Sequence, residues 1–173
     1  VSNQETSDII GSGTPTDIKL DTWTVFPQQT TNMTFKVNLP SASSDHARSN
    51  TNPFASLMEA WNGTQPQSSE NTPYIASSAY ASTTTLTVYD EAGSKHTISI
   101  YYDKVDSDDV EGLGNNSMWE YIVTMDPAED QRQFWDEDAG KLRNVNETNM
   151  GGVLASGTIT FDAAGRMTNQ SCY

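Results

Sequence analysis

Cysteine, basic residues, histidine and long apolar runs are all scarce in this chain, and each shortage removes a class of explanation. The single cysteine, Cys172, stands one residue from the end, so no internal disulfide staples the fold. Nine Lys and Arg face 23 Asp and Glu, for a formal charge of −14. A surface of that sign repels phosphate backbones and anionic lipid, so neither nucleic acid nor membrane is an expected partner. No apolar run approaches the ~20 residues of a membrane span, and Val1 does not open a signal-peptide pattern. His46 and His96 lie 50 positions apart, and no serine stands in a nucleophile-elbow sequence. Serine-hydrolase chemistry therefore has no signature here.

What is present points to β-structure. Only 35% of the 173 residues are hydrophobic, with Ser, Thr and Asn abundant, which suits strands with long solvated loops better than a helical bundle. Ile18–Phe26 (IKLDTWTVF) is a strand candidate rich in β-formers. Met33–Leu39 (MTFKVNL) alternates cleanly, with Phe35, Val37 and Leu39 on one side, until Pro40 ends it. Met118–Met125 (MWEYIVTM) is apolar on both faces, as a central strand would be, and Gly157–Phe161 (GTITF) reads as the last strand. Two excursions interrupt this pattern, at about 41–81 and 126–150. In the first, Asn52 and Pro53 punctuate a short helix closed by Gly63, whose Phe54, Leu57, Met58 and Trp61 share a face and cover a sheet edge. In the second, one helical turn is expected around Gln131–Trp135. The fold class is mainly β, an antiparallel barrel- or sandwich-like domain with short helical insertions.

The clearest local signal is the hairpin Thr83–Lys104, TTTLTVYDEAGSKHTISIYYDK. Its connector Asp90-Glu91-Ala92-Gly93 fits a type I turn followed by Gly in the left-handed region. If Asp90 pairs with Ser94, Leu86 falls opposite Ile98 and Val88 opposite His96, so the core set Leu86, Val88, Ile98 and Ile100 lands on one face. Asp162-Ala163-Ala164-Gly165 repeats the turn, giving Asp90, Gly93, Asp162 and Gly165 as structural turn residues.

No catalytic, cofactor-binding or metal-binding residues emerge, and an enzyme is not expected. The acidic runs Asp103–Gly112 and Asp136–Glu147 depart from EF-hand spacing: Gly140 and Lys141 stand where a ligand and a Gly are required. Solvated loops explain both runs, with irregular calcium binding as the alternative. Sequons at Asn32, Asn62, Asn115, Asn146 and Asn169 follow from composition. Trp23, Trp61, Trp119 and Trp135 would make a sugar platform if exposed together, but Trp61 and Trp119 read as core. No pair among the 23 acids stands out as glycosidase carboxylates.

The order of segments resembles a family. TTLTVYDEAGSKHTISIYYDK, then MWEYIVTM, then GTITFDAAGRM, is similar to the middle region of bacterial flagellar hook proteins. Upstream, PQQTTNMTFKVNLP looks like the family's approach into that region, with Pro27, Thr30, Asn38 and Leu39 matching in order. The similarity covers about Ile18–Leu39 and Ser82–Met167; the two excursions depart from it. The resemblance implies a structural subunit segment of the hook, the curved tubular joint that passes motor torque to the filament. It implies type III export without a cleaved signal, an extracellular place on the flagellum, other hook subunits as partners, and no cofactor. Tube-forming helices lie outside this stretch in the family, so the isolated chain is expected to be monomeric. Residues 1–40 would be the lead-in and strands of an inner β-domain, in part, and 41–173 the outer barrel-like domain. The alternative is a secreted β-sandwich module binding sugar or a surface ligand, stabilised by calcium in an acidic loop.

Overall fold

The computed structural model describes residues 27–64 and 73–173; the strand expected at Ile18–Phe26 lies outside them. Seven strands follow one short helix: α1 (Ser56–Ala60), β1 (Ser82–Tyr89), β2 (Lys95–Val105), β3 (Ser117–Thr124), β4 (Gln133–Asp136), β5 (Lys141–Asn144), β6 (Val153–Phe161) and β7 (Met167–Gln170). Five of them form a sheet in the order β1-β2-β3-β6-β7, antiparallel throughout, while β4 and β5 form a separate two-stranded hairpin. The fold is antiparallel β. The main sheet is open, and no closed barrel forms among the described residues.

β3 lies at the centre, which accounts for its apolar residues on both faces. Trp119 is 2% exposed and Ile122 1%, on opposite sides of the sheet. On one face Ile100 and Tyr102 of β2 oppose Val123 and Tyr121 of β3, and Trp119 opposes Ile159 of β6. Phe35, Val37 and Leu39 lie over this layer. On the other face Ile122 gathers Leu57, Trp61 and Ile75 from the first excursion into a second cluster. Fully burying side chains of this size stabilises by about 1.5–3 kcal/mol each. A sheet covered on both faces thus gains from two cores.

Four local expectations change. Met33–Leu39 keeps its alternating burial but joins no sheet: it lies across the face as an extended strap, held by side chains and not by a ladder. The helix begins at Ser56, later than Asn52 and Pro53 suggested, and its cap position Ala55 makes no side-chain bond. Asn52 instead donates its side-chain amide to Glu59 Oε1 at 2.7 Å. With only five helical residues, Leu57 and Trp61 are buried but Phe54 stays 47% exposed. Around Gln131–Trp135 the chain forms β4, not a helical turn, because Asp136–Gly140 closes a hairpin in which Asp136 accepts from the Ala139 amide. Gly157–Phe161 belongs to a longer strand, β6, and is not the last: the turn Asp162–Gly165 returns the chain as β7.

Candidate functional site

Two carboxyl groups that the sequence did not single out organise the best-defined polar site. Asp103 of β2 and Glu120 of β3 are directly opposite one another, on the face covered by the first excursion. Asp103 is fully buried and Glu120 is 3% exposed. Asp103 Oδ2 accepts the backbone amides of His46 and Ala47 at 2.7 and 2.8 Å, and its Oδ1 lies 2.8 Å from His46 Nδ1. Glu120 Oε2 accepts the Leu57 amide at 3.1 Å and so caps α1 from outside. Burial pushes the Glu120 carboxyl up to about 8, with the negative charge of Asp103 and Asp45 adding to the rise against the bond from Leu57. The pair pins a loop and a helix start to the sheet. A signal was available in the sequence: each acid sits inside a strand beside aromatic residues along the chain, Asp103 after Tyr102 and Glu120 between Trp119 and Tyr121.

The turn residues occupy matching settings. In the first turn the Gly93 amide donates to Asp90 O at 3.0 Å, the Ser94 amide to Asp90 Oδ1 at 2.7 Å, and Gly93 has φ +82°. In the second, the Gly165 amide donates to Asp162 O at 2.9 Å, the Arg166 amide to Asp162 Oδ1 at 2.8 Å, and Gly165 has φ +77°. Leu86 pairs with Ile98 and Thr84 with Ile100; Ile98 and Ile100 are buried, Leu86 and Val88 half-buried toward the edge. A Cβ on Gly93 would also come within 2.5 Å of Pro27 Cβ. Gly93→Val should therefore destabilise by roughly 1–3 kcal/mol through forced positive φ. Melting temperatures of the two chains decide it, and equal values would mean that Gly93 does not lock the turn.

His96 sits between two acids, its Nδ1 2.8 Å from Glu129 Oε2 and its Nε2 3.1 Å from Asp90 Oδ2. The Glu129 bond first, then that of Asp90, raises the affinity of the imidazole for its proton. The ring thereby ties the hairpin turn to the second excursion. No hydroxyl nucleophile bonds to either histidine among the described residues, and no group of three or more metal-ligating side chains gathers there either. Asp130, 1% exposed, takes two guanidinium bonds from Arg132 and the Gly152 amide, and Arg132 holds it down to about 2. Under the strap, Phe35, Ile100, Tyr121 and Phe161 help line an apolar cavity of about 490 Å³. No acid lines it, and it opens to solvent beside the exposed Met167.

The site is thus a set of anchors and turn locks around a two-faced sheet. Residues 60–172 match the family model described as the flagellar basal body protein FlaE D2 domain. The chain belongs to the flagellar hook protein D2 family. No curated protein and no solved structure matches it. The family is a structural one, and it places the chain in the flagellum, an organelle of motility, as a component that assembles with other hook subunits. The matched span of this hook D2 chain takes in the whole sheet, both Asp-x-Ala-Gly turns and the β4–β5 hairpin. Asp103 and Glu120 lie inside it, whereas His46, Ala47 and Leu57, which they hold, lie before it. The anchors belong to the family's sheet and fasten a segment that precedes the match.

Proposed function

We propose that the chain is the outer rigid body of a hook subunit, exported through the flagellar channel and displayed outside the cell, where it passes torque along the curved joint. The match over residues 60–172 carries this reading. A joint that bends at every rotation needs stiff bodies with exchangeable contacts between them. Locked turns, a sheet with cores on both faces and buried carboxyl anchors favour stiffness, and a −14 chain favours wet contacts over adhesive ones. Residues 1–40 are assigned to the lead-in and part of an inner β-domain, and 41–173 to the outer domain. On this reading the strap that carries Phe35, Val37 and Leu39 onto the sheet is the end of the first part.

Antibodies raised against this 173-residue chain should label hooks on intact flagellated cells of the source bacterium by immunogold electron microscopy. Label on the cell body with bare hooks would overturn the assignment. The isolated chain is expected to run as a monomer by light scattering at about 50 μM, below the range where small interfaces hold; a tight dimer there would count against it.

A further inference from the structure

Asn62–Gly63 is the only asparagine–glycine step in the chain. Asparagine is thermally labile, and most so before glycine, where no side chain shields the next backbone nitrogen from the asparagine Cγ. Packing nevertheless demands a glycine here. Gly63 is buried, and a Cβ on it would run into the Gly151 carbonyl oxygen. At this point the first excursion meets the chain just ahead of β6, backbone against backbone. Trp61 Nε1 donates to Gly151 O there at 2.9 Å.

The two sides of that step are set differently. Asn62 Oδ1 accepts the Thr64 amide at 3.1 Å and the Thr64 hydroxyl at 2.8 Å. These donors polarise the side-chain carbonyl and face the oxygen that turns negative when a nitrogen adds to Cγ. The attacking side is shut. The Gly63 amide donates to Asn149 O at 2.8 Å, and the Asn62 amide to Tyr74 O at 2.8 Å. A nitrogen held in that bond keeps its proton and cannot turn toward Cγ. The lock comes from the second excursion, whereas the activating donors lie two residues along the same loop. Lifting the first excursion breaks the lock and leaves the activation in place.

We propose that Asn62–Gly63 is a self-modifying site, shut by the Asn149 carbonyl and opened when the first excursion separates from the second. Gly63 N bonds to Asn62 Cγ, the Cγ–Nδ2 bond breaks, and Nδ2 takes up the displaced proton and leaves as ammonia. Water then opens the resulting imide. Cleavage at Cγ gives aspartate, and cleavage at the main-chain carbonyl gives isoaspartate. Isoaspartate carries Cβ in the main chain, so the amides of residues 62 and 63 stand one atom further apart. They can no longer reach Tyr74 O and Asn149 O together. A new carboxylate also appears beside buried Gly63. Local opening, ordinarily reversible, is thereby made permanent, and the step records it. The site rests on this chain's own geometry and not on the hook reading.

Peptide mapping by mass, with isoaspartyl methyltransferase labelling, follows the step in the 173-residue chain at about pH 8 and 37 °C. The folded parent should react at least roughly tenfold more slowly than the same chain in about 8 M urea, because only the open fraction reacts. Urea well below the unfolding midpoint should already raise the folded rate. Amide exchange separates the two kinds of opening: Gly63 should exchange ahead of Ile122, whose strand stays paired. Trp61→Phe loses the bond to Gly151 O, and Asp103→Ala loses the His46 and Ala47 anchors. Each should speed the reaction severalfold, with near-ultraviolet dichroism showing that the chain still folds. In the Trp61→Phe chain, Thr64→Val should slow it again, since one donor to Oδ1 is gone. Equal rates in the folded chain and in urea would overturn the proposal. So would loosened variants that react no faster than the parent, Gly63 and Ile122 amides that exchange together, or a Thr64→Val chain that reacts faster. None of these failures touches the hook assignment, which the labelling of hooks on cells decides.

Discussion

Asp103→Ala should cost about 3–5 kcal/mol, the range for removing one partner of a buried charged or hydrogen-bonded network. The side chain is fully buried and meets the His46 amide, the Ala47 amide and the His46 ring. Alanine takes the shared acceptor away from these groups beneath the first excursion. For a domain of this size that loss lowers the melting temperature by roughly 6–20 °C. Asp103→Asn keeps one acceptor oxygen but turns an NH2 toward the donors, so it should fall between parent and alanine. Amide exchange locates the effect: His46 and Ala47 should lose protection while the β3–β6 ladder keeps most of its own. An alanine variant that melts within a degree or so of the parent would mean that Asp103 anchors nothing.

The second large effect is a dependence of stability on pH that runs opposite to ordinary acid denaturation. Unfolded, Glu120 titrates near its ordinary 4.5; folded, burial pushes it up to about 8. Between these values the native chain holds a proton that the unfolded chain has released. Stability therefore falls as pH rises from about 4.5 to about 8, by at most ~1.4 kcal/mol per unit and a few kcal/mol in all. His96 adds a loss of the same sign, because its raised affinity contributes stability present below its ordinary 6.5 and lost as pH passes its folded value. Asp130 acts the other way and lower down: held at about 2, it contributes above its ordinary 3.8 and is lost as pH falls toward 2. The curve of melting temperature against pH should peak near pH 4–5. Glu120→Gln copies the neutral acid, so it should match the parent at pH 5, exceed it at pH 8 and show a shallower slope between. A parent with no slope from pH 5 to 8, or a variant that keeps the full slope, would sink the assignment of Glu120.

Local chemistry was legible wherever a few adjacent residues decide the outcome. The register Leu86 with Ile98 and Val88 with His96 follows from one turn, since Asp90 and Gly93 leave a single low-energy way to close the chain. β3 showed its central place through apolar residues on both faces, and the linked order of hairpin and strands carried the family. By contrast, Met33–Leu39 alternates like a strand and yet lies across the sheet as a strap, because period-two burial records which side is covered and not what bonds the backbone. The β4–β5 hairpin was hidden for a similar reason: Phe134, Trp135 and Leu142 stay largely outside, so no buried face imposed a readable pattern.

On its own, then, the sequence determined an acidic antiparallel β-chain of the hook family with two locked turns, because composition, alternation and turn stereochemistry act over a few neighbouring residues. Only the tertiary structure decided that Asp103 and Glu120, among 23 acids, meet on adjacent strands beneath a helix start. It alone decided, too, that Trp135 faces outward while Trp119 fills the core. A carboxyl group's role depends on which distant amides approach it and how much water remains, and burial of a tryptophan depends on what the rest of the chain lays over it.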